Sequence, residues 1–301
     1  MKQILAAVLC LAALPAMAKD SPALAITFDD LPVHGPLPPN ETRVGVGDAL
    51  IAAIRAAKAG RVYGFINADQ AGKSPSAAPM LDHWRAAGLP LGNHTWSHAD
   101  LDRVTAKAFI DEIARNEPVL RAKGSDWHWF RFPYLNEGMD PAKRAAVRAE
   151  LAKRQYRIAA VTMDFHDYGW NDAYARCATS ADAKAIAWLE QSYLDAAHES
   201  AELSRAAAKA AYGRDIPYVL LMHVGAFDAR MLPRLLAQYR SEGFRFVSLP
   251  RAESDPAYAA DVNPALPPAP SLEDRAHKTG KPLPSPHSYD EELAAICRAA
   301  Q

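Results

Sequence analysis

Seven short apolar runs rich in β-formers, separated by segments with helical periodicity, limit what this chain can fold into more than any other feature. The runs are Ala23 to Phe28, Val62 to Ile66, Leu89 to Gly92, Trp129 to Phe132, Ile158 to Met163, Tyr218 to Met222 and Phe244 to Leu249. Between them, Val46 to Lys58, Ala78 to Ala87, Ala106 to Ala122, Pro141 to Arg154 and Phe227 to Glu242 carry apolar residues at spacings of three and four. Gly60, Gly88, Gly124 and Gly243 stand at or near four of these helix ends, as C-terminal stops do. Alternation of strand and helix predicts a parallel sheet with crossover helices. In 301 residues, half of them hydrophobic, this α/β pattern suits one domain built as a distorted or incomplete (β/α) barrel. An open dinucleotide-binding sheet is disfavoured, because no strand runs into a glycine-rich phosphate turn.

Two regions depart from the alternation. The alanine-rich stretch 170–216 is longer than the other crossovers and reads as a helical insertion. It either folds over the strand ends as a lid or packs outside the barrel as a scaffold pair. Residues 251–301 form a proline-rich tail, wrapped or mobile, with a short helix near its end. The central domain is expected over 19–250.

The first 18 residues combine Lys2, an apolar stretch from Ile4 to Leu14 and a small-x-small Ala16-Met17-Ala18, the pattern of a secretory signal peptide. That apolar stretch is too short for a comfortable membrane span, and Leu9 is too large for the residue ahead of a lipidated cysteine. An exported protein, periplasmic or secreted, is expected. Of three cysteines, Cys177 and Cys297 would remain after cleavage, able to form one disulfide but too few for a disulfide framework. A formal charge of −1 provides no global basic field for nucleic acid and no polybasic membrane tail.

Chemistry-bearing residues cluster at the ends of the expected strands. Asp29-Asp30 follow Ala25-Ile26-Thr27-Phe28, at the sheet edge where α/β proteins gather functional groups. Adjacent acids raise one another's pKa unless a cation intervenes, so the doublet reads as one metal ligand and one base, or else as a solvated turn or cap. His94 and His98 are four residues apart, a spacing that on a helix places both imidazoles on one face. Arg131 to Tyr134, Asp164 with Asp167, and His223 close three further strands. Singly, such residues are ordinary packing or ion-pair partners. Five strand ends together point to one mouth.

In this order the motifs resemble those of the polysaccharide deacetylases, carbohydrate esterase family four. The family pattern of Thr-Phe-Asp-Asp, His-Ser/Thr-x-x-His, Arg-x-Pro-Tyr/Phe, Asp-x-x-Asp-Trp and Leu-x-His is met by Thr27 to Asp30, His94 to His98, Arg131 to Tyr134, Asp164 to Tyr168 and Leu221 to His223. The resemblance implies a distorted (β/α) barrel that removes acetyl groups from sugars with a divalent ion, usually Zn2+, with Co2+, Ni2+ or Mn2+ as alternatives. It assigns Asp30, His94 and His98 to the metal, Asp29 to the general base and His223 to the general acid. Arg131 would orient Asp29, Asp164 would hold the His223 imidazole, and a backbone N–H near Tyr134 would stabilise charge on the acyl oxygen. It gives Asp167 no clear role.

Three departures bear on substrate. Leu31-Pro32-Val33-His34 replaces the frequent Gly-Pro after the acids, Tyr168 stands where tryptophan is usual, and Leu135-Asn136-Glu137-Gly138 follows Tyr134 in place of an immediate glycine. Leu31, His34, Tyr168 and Trp170 are therefore expected to line the groove and to favour a small or branched acylated glycan over a long polymer. The resemblance implies an exported deacetylase of N-acetyl amino sugars or O-acetylated glycans. Its rivals are a hydrolase of another amide, such as a formamide or cyclic ureide, and a carbohydrate-binding relative without catalysis.

Overall fold

A computed structural model describes residues 21–32, 34–124 and 126–298. The expected signal peptide lies outside them. The alternation begins with β1 (Ala23–Leu31), α1 (Arg43–Ala56), β2 (Tyr63–Ile66), α2 (Ala68–Lys73), α3 (Pro79–Ala86), β3 (Leu91–Asn93), α4 (Ala106–Lys123) and β4 (Trp129–Phe130). It continues through α5 (Pro141–Lys153), β5 (Arg157–Ile158), α6 (Tyr168–Thr179), α7 (Ala183–Tyr212), β6 (Tyr218–His223), α8 (Ala226–Ser241) and β7 (Arg245–Val247). Three short helices, α9 (Leu249–Ala252), α10 (Leu272–His277) and α11 (Asp290–Ala295), belong to the tail. Local chemistry sets several helix starts. Thr42, Thr105 and Asp182 accept hydrogen bonds from Gly45, Ala108 and Ala185 backbone N–H groups, and α5 pairs an Asp140 cap with Pro141 at its first position.

All sheet pairs are parallel, in the order β5-β4-β3-β2-β1-β6. Central β1 is apolar and buried up to Phe28, as a strand covered on both faces must be. Its Leu24 to Asp29 pair with Tyr218 to His223, while its other edge is shared, β7 meeting Ala23 to Ala25 and β2 meeting Thr27, Phe28 and Leu31. The two ends of the sheet meet at a single bridge, Met163 to Leu220. The result is a distorted (β/α) barrel.

The irregular closure has a physical cause. The run expected as a strand from Ile158 to Met163 is a strand only at Arg157–Ile158. Beyond it, side chains take the backbone groups that a neighbouring strand would use: Arg131 Nε donates to the Ala159 carbonyl (2.8 Å), and Glu253 accepts from Ala160 N (2.7 Å).

The insertion is a packed pair of helices, α6 and α7. α7 buries Leu189, Tyr193, Ala197 and Ala201 against its neighbours and ends at Gly213 in the left-handed region, φ 73°. Trp170 is 2% exposed, donates from Nε1 to Ser192 Oγ (3.0 Å) and packs on Phe165 and Tyr193. It therefore belongs mainly to the core, and lines the cavity beside the catalytic one instead of the catalytic cavity itself. The tail is docked: Val262 accepts from Ile158 N, Arg148 donates to the Leu266 and Asn263 carbonyls, and Cys297 is disulfide-bonded to Cys177 of α6. Among the described residues, no helix is long and apolar enough to cross a membrane.

The turn from β6 into α8 leaves no room for a side chain at Gly225, where a Cβ would stand 2.1 to 2.2 Å from three atoms of Asn171. Asn171 accepts from Phe227 N (2.8 Å) and donates to buried Asp228 (2.7 Å). Gly225→Ala should therefore lower unfolding stability by about 1–3 kcal/mol, as overpacking does, read as a lower denaturant midpoint. An unchanged midpoint would show that the turn relaxes freely.

Candidate metal centre and catalytic cavity

In a regular strand Asp29 and Asp30 would face opposite sides of the sheet. Both line one cavity of about 390 Å3 at the carboxyl ends of the strands. Asp30 has φ 63°, a left-handed conformation that Asp tolerates better than most residues, and the β1–β2 register shifts between Phe28 and Leu31. This irregularity turns the second carboxylate into the mouth. It also returns Leu31 to the core, 0% exposed, so Leu31 does not line the groove as the sequence suggested.

His94 and His98 follow β3 in a loop, not on a helix. Left-handed Thr95 (φ 65°) and His98 (φ 61°) fold that loop back. Three buried amides fix it: Asn67 Nδ2 donates to the His94 and Thr95 carbonyls, Asn93 Oδ1 accepts from Thr95 N (2.9 Å), and Asn116 Nδ2 donates to Asn93 Oδ1 (3.0 Å). The positioning roles of Asn67 and Asn116 escaped the sequence reading, because a lone asparagine after a strand reads as an ordinary turn former and one inside helix α4 carries no signal of its own.

His94 Nδ1 is 2.8 Å from the Arg131 carbonyl, which can only accept, so Nδ1 carries the proton and Nε2 is free as a ligand. Asp30 Oδ1 lies 3.7 Å from His94 Nε2 and 3.4 Å from His98 Nε2, and ligand atoms of the three residues fall within 4.8 Å of one another. This carboxylate oxygen is buried and has no hydrogen-bond partner, whereas Oδ2 pairs with His34 Nδ1 at 2.8 Å. A buried acceptor left unpaired is costly, and a divalent cation is the partner that two imidazoles and a carboxylate suit.

The electrostatics agree with a ligand set. Burial would raise the Asp30 carboxyl, but the His34 hydrogen bond and the His223, His98 and His94 imidazoles outweigh it and hold it well below the usual range. Burial, reinforced by repulsion from His94 and opposed by Asp30 and Asp29, brings His98 down to about 4. His98 is thus neutral at pH 7, the form that binds metal.

Asp29 is 2% exposed, with Oδ2 3.6 Å from His94 Nε2. Arg131 holds it from below: Nη1 donates to both carboxylate oxygens (3.1 and 3.3 Å), Nη2 to Thr27 Oγ1 (3.1 Å). His223 faces it from β6, the two residues being direct partners in the strand register. Here the expected pairing is corrected. Asp167, not Asp164, holds His223, accepting from Nδ1 at 2.8 Å and from the backbone N–H at 2.6 Å. Burial would lower the His223 pKa, but the charge and hydrogen bond of Asp167, with Asp30 and Asp29, raise it to about 10. Asp164 accepts instead from His166 N (2.8 Å), and burial pushes its carboxyl upward.

The rim is aromatic. The His34 ring sits 4.7 Å from that of His223, Tyr168 is 5.3 Å from His223, and Tyr134, 66% exposed with φ 58°, lies 4.4 Å from His98. No residue of 170–216 lines this cavity. Asp30→Ala should weaken zinc binding by at least about 10²-fold, beyond the 10- to 100-fold typical of losing a supporting residue. Titration with a chromophoric chelator reads this directly, and unchanged affinity would place the ion elsewhere.

The model of the family described as "Polysaccharide deacetylase" matches residues 16–158. No curated protein matches the sequence. Among solved structures, the chitin deacetylase of the fungal pathogen Colletotrichum lindemuthianum is 21% identical with a TM-score of 0.52, covering 84% of this chain and 91% of its own. A variant of a peptidoglycan deacetylase from Bacillus subtilis is 17% identical with a TM-score of 0.51, covering 78% and 91%. A variant, with restored enzymatic activity, of a carbohydrate esterase family four pseudoenzyme is 11% identical with a TM-score of 0.53, covering 77% and 68%. These likenesses establish the fold.

Proposed function

We propose, for a chain that belongs to the polysaccharide deacetylase family, an exported, metal-dependent deacetylase acting on N-acetyl amino sugars or O-acetylated glycans. One observation carries the reading: adjacent strands β1 and β6 bring an arginine-held carboxylate, Asp29, and an aspartate-held imidazolium, His223, to the same cavity as the Asp30, His94 and His98 cluster. A carboxylate base and an imidazole acid held beside a cation site are what hydrolysis of an acyl bond requires.

A divalent cation on Asp30, His94 and His98, with Zn2+ the best match to two imidazoles and a carboxylate, would supply Lewis-acid polarisation and acidify water. The chain performs the proton transfers. Asp29, fixed by Arg131, takes a proton from the attacking water as the new C–O bond forms. A backbone N–H near Tyr134 would meet charge developing on the acyl oxygen. His223 then gives its proton to the leaving nitrogen or oxygen as the bond to the acetyl carbon breaks, and Asp167 keeps the imidazole oriented.

Export rests on the amino-terminal pattern and is supported by the Cys177–Cys297 disulfide, a bond that oxidising compartments sustain. The direct test of reaction class is to offer the zinc-loaded mature chain an acetylated chitooligosaccharide, acetylated xylan and the formylated counterpart of the first, following each by NMR. Acetate release with little formate supports the reading. Formate release alone would replace it with hydrolysis of another amide.

A further inference from the structure

A second cavity, of about 450 Å3, adjoins the catalytic one and shares with it Leu135, Asp164 and His166. One wall is α7, through Ala196, Ser200 and Leu203; the other is the terminal strap 286–293. The strap is held in three ways. His287 N donates to Glu199 of α7 (2.7 Å), the Tyr289 ring packs 5.5 Å from that of Trp170, and Cys297 just beyond α11 is bonded to Cys177. These contacts lie beyond residue 158, where the family match ends.

The chemistry of the cleft suits a sugar ring. Apolar surface from Leu203, Leu293 and Tyr289 faces hydroxyl and carboxylate groups from Ser271, Asp164 and Asp290. Neither cavity is lined by a lysine or arginine, while Glu273 and Asp290 add negative charge to the outer one. A carboxylate brought into the outer cavity would meet like charge with no lysine or arginine among its lining residues to receive it.

We propose that this cleft is a second sugar subsite, continuous with the catalytic cavity, that accepts an uncharged or amino-bearing sugar and rejects one carrying a carboxylate. The proposal rests on the deacetylase reading and narrows its substrate class to short glycans that are neutral or cationic beside the acetylated unit. Leu135, 44% exposed at the junction of the two cavities, is the ridge across which the two sugars would lie.

The test measures binding by calorimetry to the zinc-loaded Asp29→Asn protein, in which turnover is suppressed. The ligands are N-acetylglucosamine, its β-1,4 trimer, and the trimer with its hydroxymethyl groups oxidised to carboxylates. The neutral trimer should bind about tenfold or more tighter than both the monomer and the oxidised trimer at low salt. Glu273→Gln with Asp290→Asn should narrow the gap between the two trimers. Equal binding of both trimers to the parent, or a trimer no tighter than the monomer, would overturn the proposal. Acetate release by the wild-type chain is scored separately. Its absence beside a retained trimer preference would count against the hydrolytic reading and leave the subsite standing.

Discussion

Asp29→Asn should lower turnover of an acetylated glycan by at least about 10²-fold while zinc stays bound, the loss expected when a positioned general base is removed. The substitution keeps the shape of the side chain and most of its contacts with Arg131, whose Nη1 lies 3.1 Å from Oδ1. Asp29 is absent from the ligand triad of Asp30, His94 and His98, so affinity for the ion should change far less than rate. Measuring zinc content alongside kcat separates the two effects. A metal-loaded variant with unchanged kcat would remove Asp29 from the base role.

The second large effect concerns Asp167. Asp167→Asn should reduce kcat by about 10²-fold and shift the alkaline limb of the pH–rate profile to lower pH, because a general acid must enter the cycle protonated. The sign follows from the pair. Asp167 is the main cause of the raised His223 pKa, near 10, so its loss lets the imidazole deprotonate earlier. The same pairing contributes to folding. Since the folded-state pKa lies above the unfolded value of 6.5, that stabilisation is complete below about pH 6.5 and fades as pH climbs toward 10. Asp164→Asn should leave the alkaline limb in place, because Asp164 bonds to the His166 backbone and not to the His223 ring. If Asp164→Asn moved the limb and Asp167→Asn did not, the pairing would be reversed.

That contrast shows how far the residue order alone reaches. Side-chain periodicity located all seven strands, and the strand ends carried the acids and histidines that the barrel gathers into one mouth and the arginine buried beneath it. What periodicity could not convey is the backbone between them. Asp164 and Asp167 are three residues apart, and the choice of partner is made by a turn in which His166 takes φ 56°. Likewise His94 and His98 converge through left-handed loop residues and an asparagine network, although their spacing suggested a helix. Leu31 and Trp170 were placed in the groove by their distance from motif residues. A strand irregularity after Asp30 buries the first, and the packing of α6 on α7 buries the second. The docking of the tail was equally hidden, since proline-rich composition describes a wrapped segment and a loose one alike, and the disulfide depends on a spatial approach of two cysteines 120 residues apart.

The measurement that bears most directly on the central claim is acetate release from an acetylated chitooligosaccharide by the zinc-loaded mature chain, before and after chelation and after zinc is restored. Release that stops with the chelator and returns with zinc is the expected result. Release that persists in the demonstrably metal-free protein would contradict a catalytic ion on Asp30, His94 and His98, and with it the account of how this cavity works.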